Sequence, residues 1–266
     1  MTKFTNFLAV TTVAALMSSG PAMAESGDHE KTGARGGHGP KAHWGYSGPE
    51  GPENWGELSG AYSLCKTGKQ QSPVDITDSK SAGLAKLSFN YQGTPLRVVN
   101  NGHTVQVNYG PGSDFTSGHA NYQLLQFHFH TPSENAVDGR PYPMEMHLVH
   151  KDGDGVLGVV GVFFEEGPEN PALQKIWDHL PTEVNRETSI DSVVVNARDL
   201  LPPEGSYYRF VGSLTTPPCS EGVQWHVLQE PIKVSPAQIQ AFMTLIGNNA
   251  RPVQPLNARL LVKTVH

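Results

Sequence analysis

The sequence predicts a β-dominated α/β fold. The expected form is a single domain around a large, mostly antiparallel, twisted central sheet with a few peripheral helices. Three observations carry this. Short runs rich in β-branched and aromatic residues alternate with turn signals, and Gly and Pro are plentiful at 28 and 21 residues. Only two stretches combine a helical apolar period with capping signals. No internal repeat or second linker breaks residues 43–266, a length that suits one large domain.

The first 24 residues are expected to lie outside that domain. Lys3 precedes an apolar run from Leu8 to Met17, and Ala22-Met23-Ala24 matches a small-x-small cleavage site. This reads as a secretory signal peptide cut after Ala24, too short and too polar for a membrane anchor. Residues 25–42 are Gly-rich and polar and read as a flexible lead-in that cannot bury enough apolar area to order itself. His29 and His38 within it are read as solvated tail residues. Removing Lys3 from 19 basic residues leaves 18 against 25 acidic ones, a net charge of −7. With no basic block or stripe, nucleic acid is not an expected partner. No later stretch is long and apolar enough to span a bilayer. Two cysteines, Cys65 and Cys219, in an exported chain suggest one disulfide closing a long loop.

From Trp44 onward the expected strands are Leu96–Val99, Thr104–Tyr109, Leu124–His130, Met144–His150, Val156–Phe164, Ile190–Val195, Tyr207–Val211, Val223–Leu228 and Leu260–Val265. The first helix starts at an Asn170 N-cap with Pro171 at N1. It carries Leu173, Ile176, Trp177 and Leu180 on one face and stops at Pro181. The second starts at Ser235-Pro236 with Gln238 at N3. It carries Ile239, Phe242, Met243 and Ile246 and stops at Gly247. Both read as packing helices without chemistry.

The chemistry concentrates in Gln126-Phe127-His128-Phe129-His130. On a strand, side chains alternate faces, so His128 and His130 project together while Phe127 and Phe129 point into the core. Adjacent same-face imidazoles can share one metal ion. The next strand-like run, Glu145-Met146-His147-Leu148-Val149-His150, offers a third ligand. His147 and His150 are three apart and face opposite ways, so only one of them joins the pair. Three histidines with an open fourth position make the catalytic, rather than the structural, zinc pattern. The stretch Gly212-Ser213-Leu214-Thr215-Thr216-Pro217-Pro218-Cys219 adds two hydroxyls on a stiff loop with no backbone donor at either proline.

Taken together these residues resemble the α-class carbonic anhydrases. The marks run in order through His43-Trp44-Gly45-Tyr46, Gly48-Pro49, Gln71-Ser72-Pro73-Val74-Asp75-Ile76 and Asn100-Asn101-Gly102-His103. They continue through the two histidine strands, Ser133-Glu134, the Thr-Thr-Pro-Pro loop and Arg251-Pro252, covering His43 to about Arg259. The resemblance implies Zn2+ on His128, His130 and His147, with His150 off the metal face. It implies reversible hydration of CO2 by a zinc-bound hydroxide, with Gln126 and Glu145 orienting the ligand rings. Thr215 is implied to accept a hydrogen bond from the hydroxide and to donate to Glu134, and Thr216 to contact bicarbonate. An apolar CO2 pocket is implied at Val149, Val159, Leu214, Val223 and Trp225, and a proton shuttle at His103, whose ordinary pKa near 6.5 suits that role. The Cys65–Cys219 pair resembles the disulfide of exported members. Thr131, Asn135 and Gln106 depart from the common pattern of animal members.

Two other readings compete. His128-x-His130-x3-Glu134 fits a cupin-type metal oxidase or dioxygenase core, although the Gly expected before the pair is missing and Lys151 stands where Asn is expected. A non-catalytic metal-binding module is the other, against which all three histidines, Glu134 and Thr215 are present. The remaining expectations are a periplasmic location rather than full secretion, and a monomer or homodimer acting on a small molecule.

Overall fold

The computed structural model describes residues 43–203 and 205–265. The expected signal peptide and lead-in, with His29 and His38, lie outside the described residues. Eight strands form the spine of a thirteen-stranded mixed sheet. They are β1 (Thr94–Asn100), β2 (Val105–Asn108), β3 (Ala120–His130), β4 (Met144–Lys151), β5 (Leu157–Glu166), β6 (Glu187–Val195), β7 (Tyr207–Ser213) and β8 (Glu221–Leu228). Their spatial order is β6-β1-β2-β3-β4-β5-β8-β7, and Val262–Thr264 and Lys80–Ala82 extend the last edge.

Most pairings are antiparallel, as the alternation of strands and short turns predicts. The exceptions are local. β5 runs parallel to β8 and to Ile232–Val234, Val262–Thr264 runs parallel to Lys80–Ala82, and in a separate small sheet Asp75–Ile76 runs parallel to Ala136–Val137. Each of the nine expected strands is present, with boundaries moved by a few residues; of Leu260–Val265 only Val262–Thr264 pairs. Several other strands of two to four residues, among them Asp75–Ile76, Asp114–Ser117 and Ala136–Val137, were missed by sequence reading, because so few residues show little of a two-residue period.

The sheet divides its side chains cleanly. Phe127, Phe129, Met146, Leu148, Val160, Val162 and Phe164 point into the larger core. Two helices close that side, α1 (Pro171–Trp177) and α2 (Pro236–Ile246). Asn170 caps α1 by accepting from the N–H groups of Ala172 and Leu173, and Ser235 with Gln238 forms a capping box on α2. The helices meet where the Trp177 indole donates to the Gln238 carbonyl at 2.8 Å, with both Trp177 and Phe242 against Phe129. Contrary to expectation, α1 ends at Trp177 rather than at Pro181. His179 and Leu180 donate three residues back instead of four, so the chain tightens out of the α-helix before the proline is reached.

The opposite face of the same strands carries Gln126, His128, His130, Glu145, His147 and Val149, and all the chemistry that follows is on this side.

His150 takes the core face, as the alternation requires. Its Nε2 meets the Tyr91 hydroxyl at 2.8 Å, and its ring packs edge-on to Phe115. His226 of β8 approaches the other side of Phe115, with Nε2 3.2 Å from the Ser117 hydroxyl. Burial holds both rings neutral, each with its pKa pushed down to about 3; their mutual repulsion adds for His150, and Arg209 adds for His226. In the unfolded chain each would take a proton near pH 6.5. Their contribution is therefore fully present above pH 6.5 and is lost as pH falls toward 3, on the order of a few kcal/mol each. Denaturant unfolding followed between pH 7 and 4 is expected to show this loss, and His226→Leu is expected to flatten it.

Candidate metal centre

Register brings the three histidines together. On β3 and β4, His128 stands opposite His147 and His130 opposite Glu145, while Gln106 of β2 flanks His128 from the other side. One ring nitrogen from each of His128, His130 and His147 lies within 4.8 Å of the other two.

Each ring has a partner on its outward edge. His128 Nδ1 is 2.9 Å from Gln126 Oε1, and His130 Nδ1 is 2.9 Å from the Asn249 carbonyl. His147 Nε2 lies 3.1 Å from Glu145 Oε1, a close contact off the line of a good hydrogen bond. These neighbours turn Nε2 of His128 and His130, and Nδ1 of His147, toward the middle of the cluster.

Electrostatics favour a cation there. Burial drives the pKa of His128 and His147 well below the ordinary value, and the neighbouring rings push the same way. His130 is lowered by burial too, partly offset by the Asn249 carbonyl. All three are therefore neutral and offer lone pairs at neutral pH, which is what a metal ligand requires. Two carboxylates stand behind them. Burial raises Glu134 to about 8 against the pull of the Thr215 side chain and the Arg251 N–H, and raises Glu145 to about 7 against the Asn135 side chain and backbone. A dication among the rings would favour the ionised form of both. Buried Nε2 of His130 and Oε2 of Glu134 have no hydrogen-bond partner and lie 3.5 Å apart. Nitrogen donors, neutral rings, orphaned polar atoms and nearby carboxylates together suit a zinc-sized dication.

Glu145 is held rigidly. Its Oε2 accepts from the backbone N–H groups of Glu134 and Asn135 at 2.9 and 2.8 Å, and its Oε1 from the Asn135 side chain at 2.8 Å. On β5, Gly161 stands opposite His147, and a Cβ there would sit 3.0 Å from Glu145 Oε1. A side chain there would crowd the carboxylate.

Glu134 Oε1 accepts from the Arg251 N–H at 2.9 Å, and its carboxylate also takes a hydrogen bond from the Thr215 side chain. Thr215 follows β7 on the loop whose chain reverses by Leu214 N–H donating to the Ser220 carbonyl at 3.0 Å. A Cys65–Cys219 disulfide ties that loop to the segment before Gln71 across 154 residues of sequence. Disulfides typically stabilise a fold by about 2–4 kcal/mol. The Arg251 guanidinium braces the same corner, donating to Gln71 Oε1, the Ser72 carbonyl and the Cys65 carbonyl.

The cleft over the cluster is lined by Trp44, Asn101, His103, Gln106, Gln126 and Thr216, among others. His103 lies in a turn whose Asn101 side chain accepts from the N–H groups of His103 and Thr104, and its ring stacks on Trp44 with centroids 3.7 Å apart. Val149, Val159, Leu214, Val223 and Trp225 share a second, smaller apolar cluster on the site face. Trp225 joins it to the metal centre, its ring centroid 4.8 Å from that of His147.

Sequence reasoning missed Asn249 and gave no role to Asn135, Arg251 or Trp44. Arg251-Pro252 was visible as a motif. Asn249 left no signal, because its contacts are made 119 residues from His130 in sequence.

The chain matches the family described as eukaryotic-type carbonic anhydrase over residues 50–265. It is 47% identical over 228 residues to a carbonic anhydrase of a Nostoc species, covering 84% of this chain and 86% of that protein. It is 46% identical over 228 residues to one from Neisseria gonorrhoeae, covering 85% and 90%. Among solved structures, the α-carbonic anhydrase of Thermovibrio ammonificans, in complex with the inhibitor sulfanilamide, superposes with a TM-score of 0.81 at 48% identity, covering 84% of this chain and all of that one. Neither the cupin reading nor the inert binding module is favoured beside such likeness. This chain belongs to the eukaryotic-type, or α-class, carbonic anhydrase family and is an enzyme of CO2 hydration.

Proposed function

We propose that the chain converts CO2 and water reversibly into bicarbonate and a proton at a Zn2+ ion held by His128, His130 and His147. The observation that carries this is the set of three neutral rings, each with an acceptor behind it. When bound, zinc supplies a Lewis acid that lowers the pKa of a water to about 7, the standard figure for carbonic anhydrases themselves.

The chain's own residues do the rest. Gln126, the Asn249 carbonyl and Glu145 hold the ligand rings in one tautomer and orientation. Thr215, donating to Glu134, presents only lone pairs to the cleft. It therefore accepts a hydrogen bond from a group standing over the cluster and disfavours any ligand without a proton to give. Thr216, on the cleft wall, contacts bicarbonate. Val149, Val159, Leu214, Val223 and Trp225 offer CO2, small and apolar, a dry surface beside the reacting centre. His103 receives the proton at the mouth of the cleft and passes it to solvent.

The direct test is stopped-flow CO2 hydration by the purified protein, read with a pH indicator, before and after chelation. Fast turnover that disappears on stripping and returns with zinc supports the reading. Fully zinc-loaded protein with no rate above buffer defeats it.

His103→Ala is expected to lower kcat about tenfold or more in weak buffer, since general acid–base groups contribute about 10²–10⁴-fold, with recovery in imidazole. Burial, then the charge of His43, holds His103 below the ordinary histidine value. A proton acceptor works only when deprotonated, so kcat of the parent should rise with pH through a value below 6.5. Unchanged turnover in weak buffer would remove His103 from the pathway.

The disulfide fits an exported protein, and no helix among the described residues is long and apolar enough to cross a membrane. A signal peptide cut after Ala24 and a periplasmic destination complete the proposal, and N-terminal sequencing of the protein recovered from a periplasmic extract tests both.

A further inference from the structure

Asn249 is fully buried where the metal centre meets the His103 turn. Its backbone carbonyl supports His130. Its side chain does something separate. Oδ1 accepts from the Thr131 N–H at 2.8 Å, while Nδ2 donates to the Phe129 carbonyl at 2.9 Å and to the His103 carbonyl at 3.0 Å. Both donors and an acceptor of the amide are thus satisfied, and no water is needed to complete it. Two of these bonds grip the end of β3, the strand that carries His128 and His130. The third crosses 146 residues of sequence to the residue whose ring faces the cleft.

The turn needs such a grip. Gly102, with φ +85°, gives its backbone freedom just before His103. At His103 itself, the N–H bond to Asn101 stays inside the turn, and the neighbouring Thr104 hydroxyl ties to the Phe129 carbonyl at 2.5 Å. The carbonyl bond to Asn249 anchors the His103 peptide unit to another element. The ring it carries lies flat on Trp44, an arrangement that depends on where the backbone stands.

We propose that the Asn249 side chain is a positioning residue for proton transfer, clamping the His103 turn to the metal-bearing strand so that the imidazole keeps its place at the cleft mouth. This rests on the reading of His103 as the proton carrier. The bond itself does no chemistry. It acts through His103, and misplacement of a reacting group by about 1 Å can cost about 10²-fold.

The kinetics can separate the two functions of this residue. kcat/KM reports steps up to bicarbonate release, whereas kcat also includes the proton's exit afterwards. Asn249→Ala keeps the backbone carbonyl on His130 and removes only the clamp. In weak buffer kcat is expected to fall at least about fivefold further than kcat/KM, in line with the positional sensitivity above, and imidazole should restore it. In a double-mutant cycle, Asn249→Ala should cost no further kcat once His103 is alanine. A second readout is independent of turnover: the His103 ring resonance, titrated by NMR, should move toward the ordinary histidine value as the ring leaves Trp44. If Ala leaves too large a void to fold, Asn249→Leu fills it with an apolar side chain that lacks both donors, and it should show the same split.

Equal losses in kcat and kcat/KM, no loss at all, or an additive loss in the His103→Ala background would each overturn the clamp. If His103→Ala itself leaves kcat unchanged, the proton-carrier reading fails first and the clamp with it. If His103→Ala lowers kcat and Asn249→Ala does not, the clamp alone fails.

Discussion

His147→Ala is expected to empty the metal centre and reduce CO2 hydration to the buffer rate, a loss on the order of 10⁴-fold or more, because the shift of water's pKa from 15.7 to about 7 disappears with the metal. Two rings on one strand cannot complete a three-nitrogen site, and the change also strands Glu145, a fully buried carboxylate beside the vanished ring. Zinc content by atomic emission should drop from one ion per chain to near zero after dialysis. The neighbouring histidine is the control. His150 is equally buried but on the other face, against Tyr91 and Phe115. His150→Ala should retain zinc and turnover while losing about 2–4 kcal/mol of stability to the cavity. Zinc retained by His147→Ala, or lost by His150→Ala, would show that the wrong face was assigned to the metal.

Thr215→Val should behave differently, keeping the metal and losing the chemistry. Valine matches threonine in shape but cannot donate to Glu134 or accept from a group over the cluster. An expected fall in kcat/KM of about 10²-fold follows, the scale of losing an oriented hydrogen-bond partner at a reacting or metal centre. Zinc stoichiometry should be unchanged. Simple anions without a proton to donate should inhibit the variant more tightly than the parent, because the group that turned them away is gone. Glu134→Gln tests the same polarity from the other end, since an amide can donate to Thr215 and so reverse the direction of the bond. Full activity in both variants would exclude the Thr215–Glu134 pair from the mechanism.

Much of the site was legible in the sequence because it is written in short-range terms. A two-residue period separates His128 and His130 from Phe127 and Phe129, and the structure places the first pair in the cluster and the second in the core. The capping signals at Asn170 and Ser235 are equally local, and both helices begin there. The end of the first helix was not legible. Pro181 signals that a helix cannot continue, but the chain had already tightened after Trp177.

What the linear pattern settled, then, is which side chains share a face and where elements begin, since alternation and capping depend on residues only a few positions apart. Periodicity alone could say that one of His147 and His150 joins the pair, but not which. The antiparallel register of β4 on β3, which sets His147 against His128, decides it. The same holds for the Asn249 carbonyl on His130, for Asn135 and Gly161 around Glu145, and for Arg251 on Glu134. These contacts join residues that the chain separates by many positions. Their partners are chosen by how strands and loops pack, and a hydrogen bond made by a backbone carbonyl leaves no mark on the identity of the residue that supplies it.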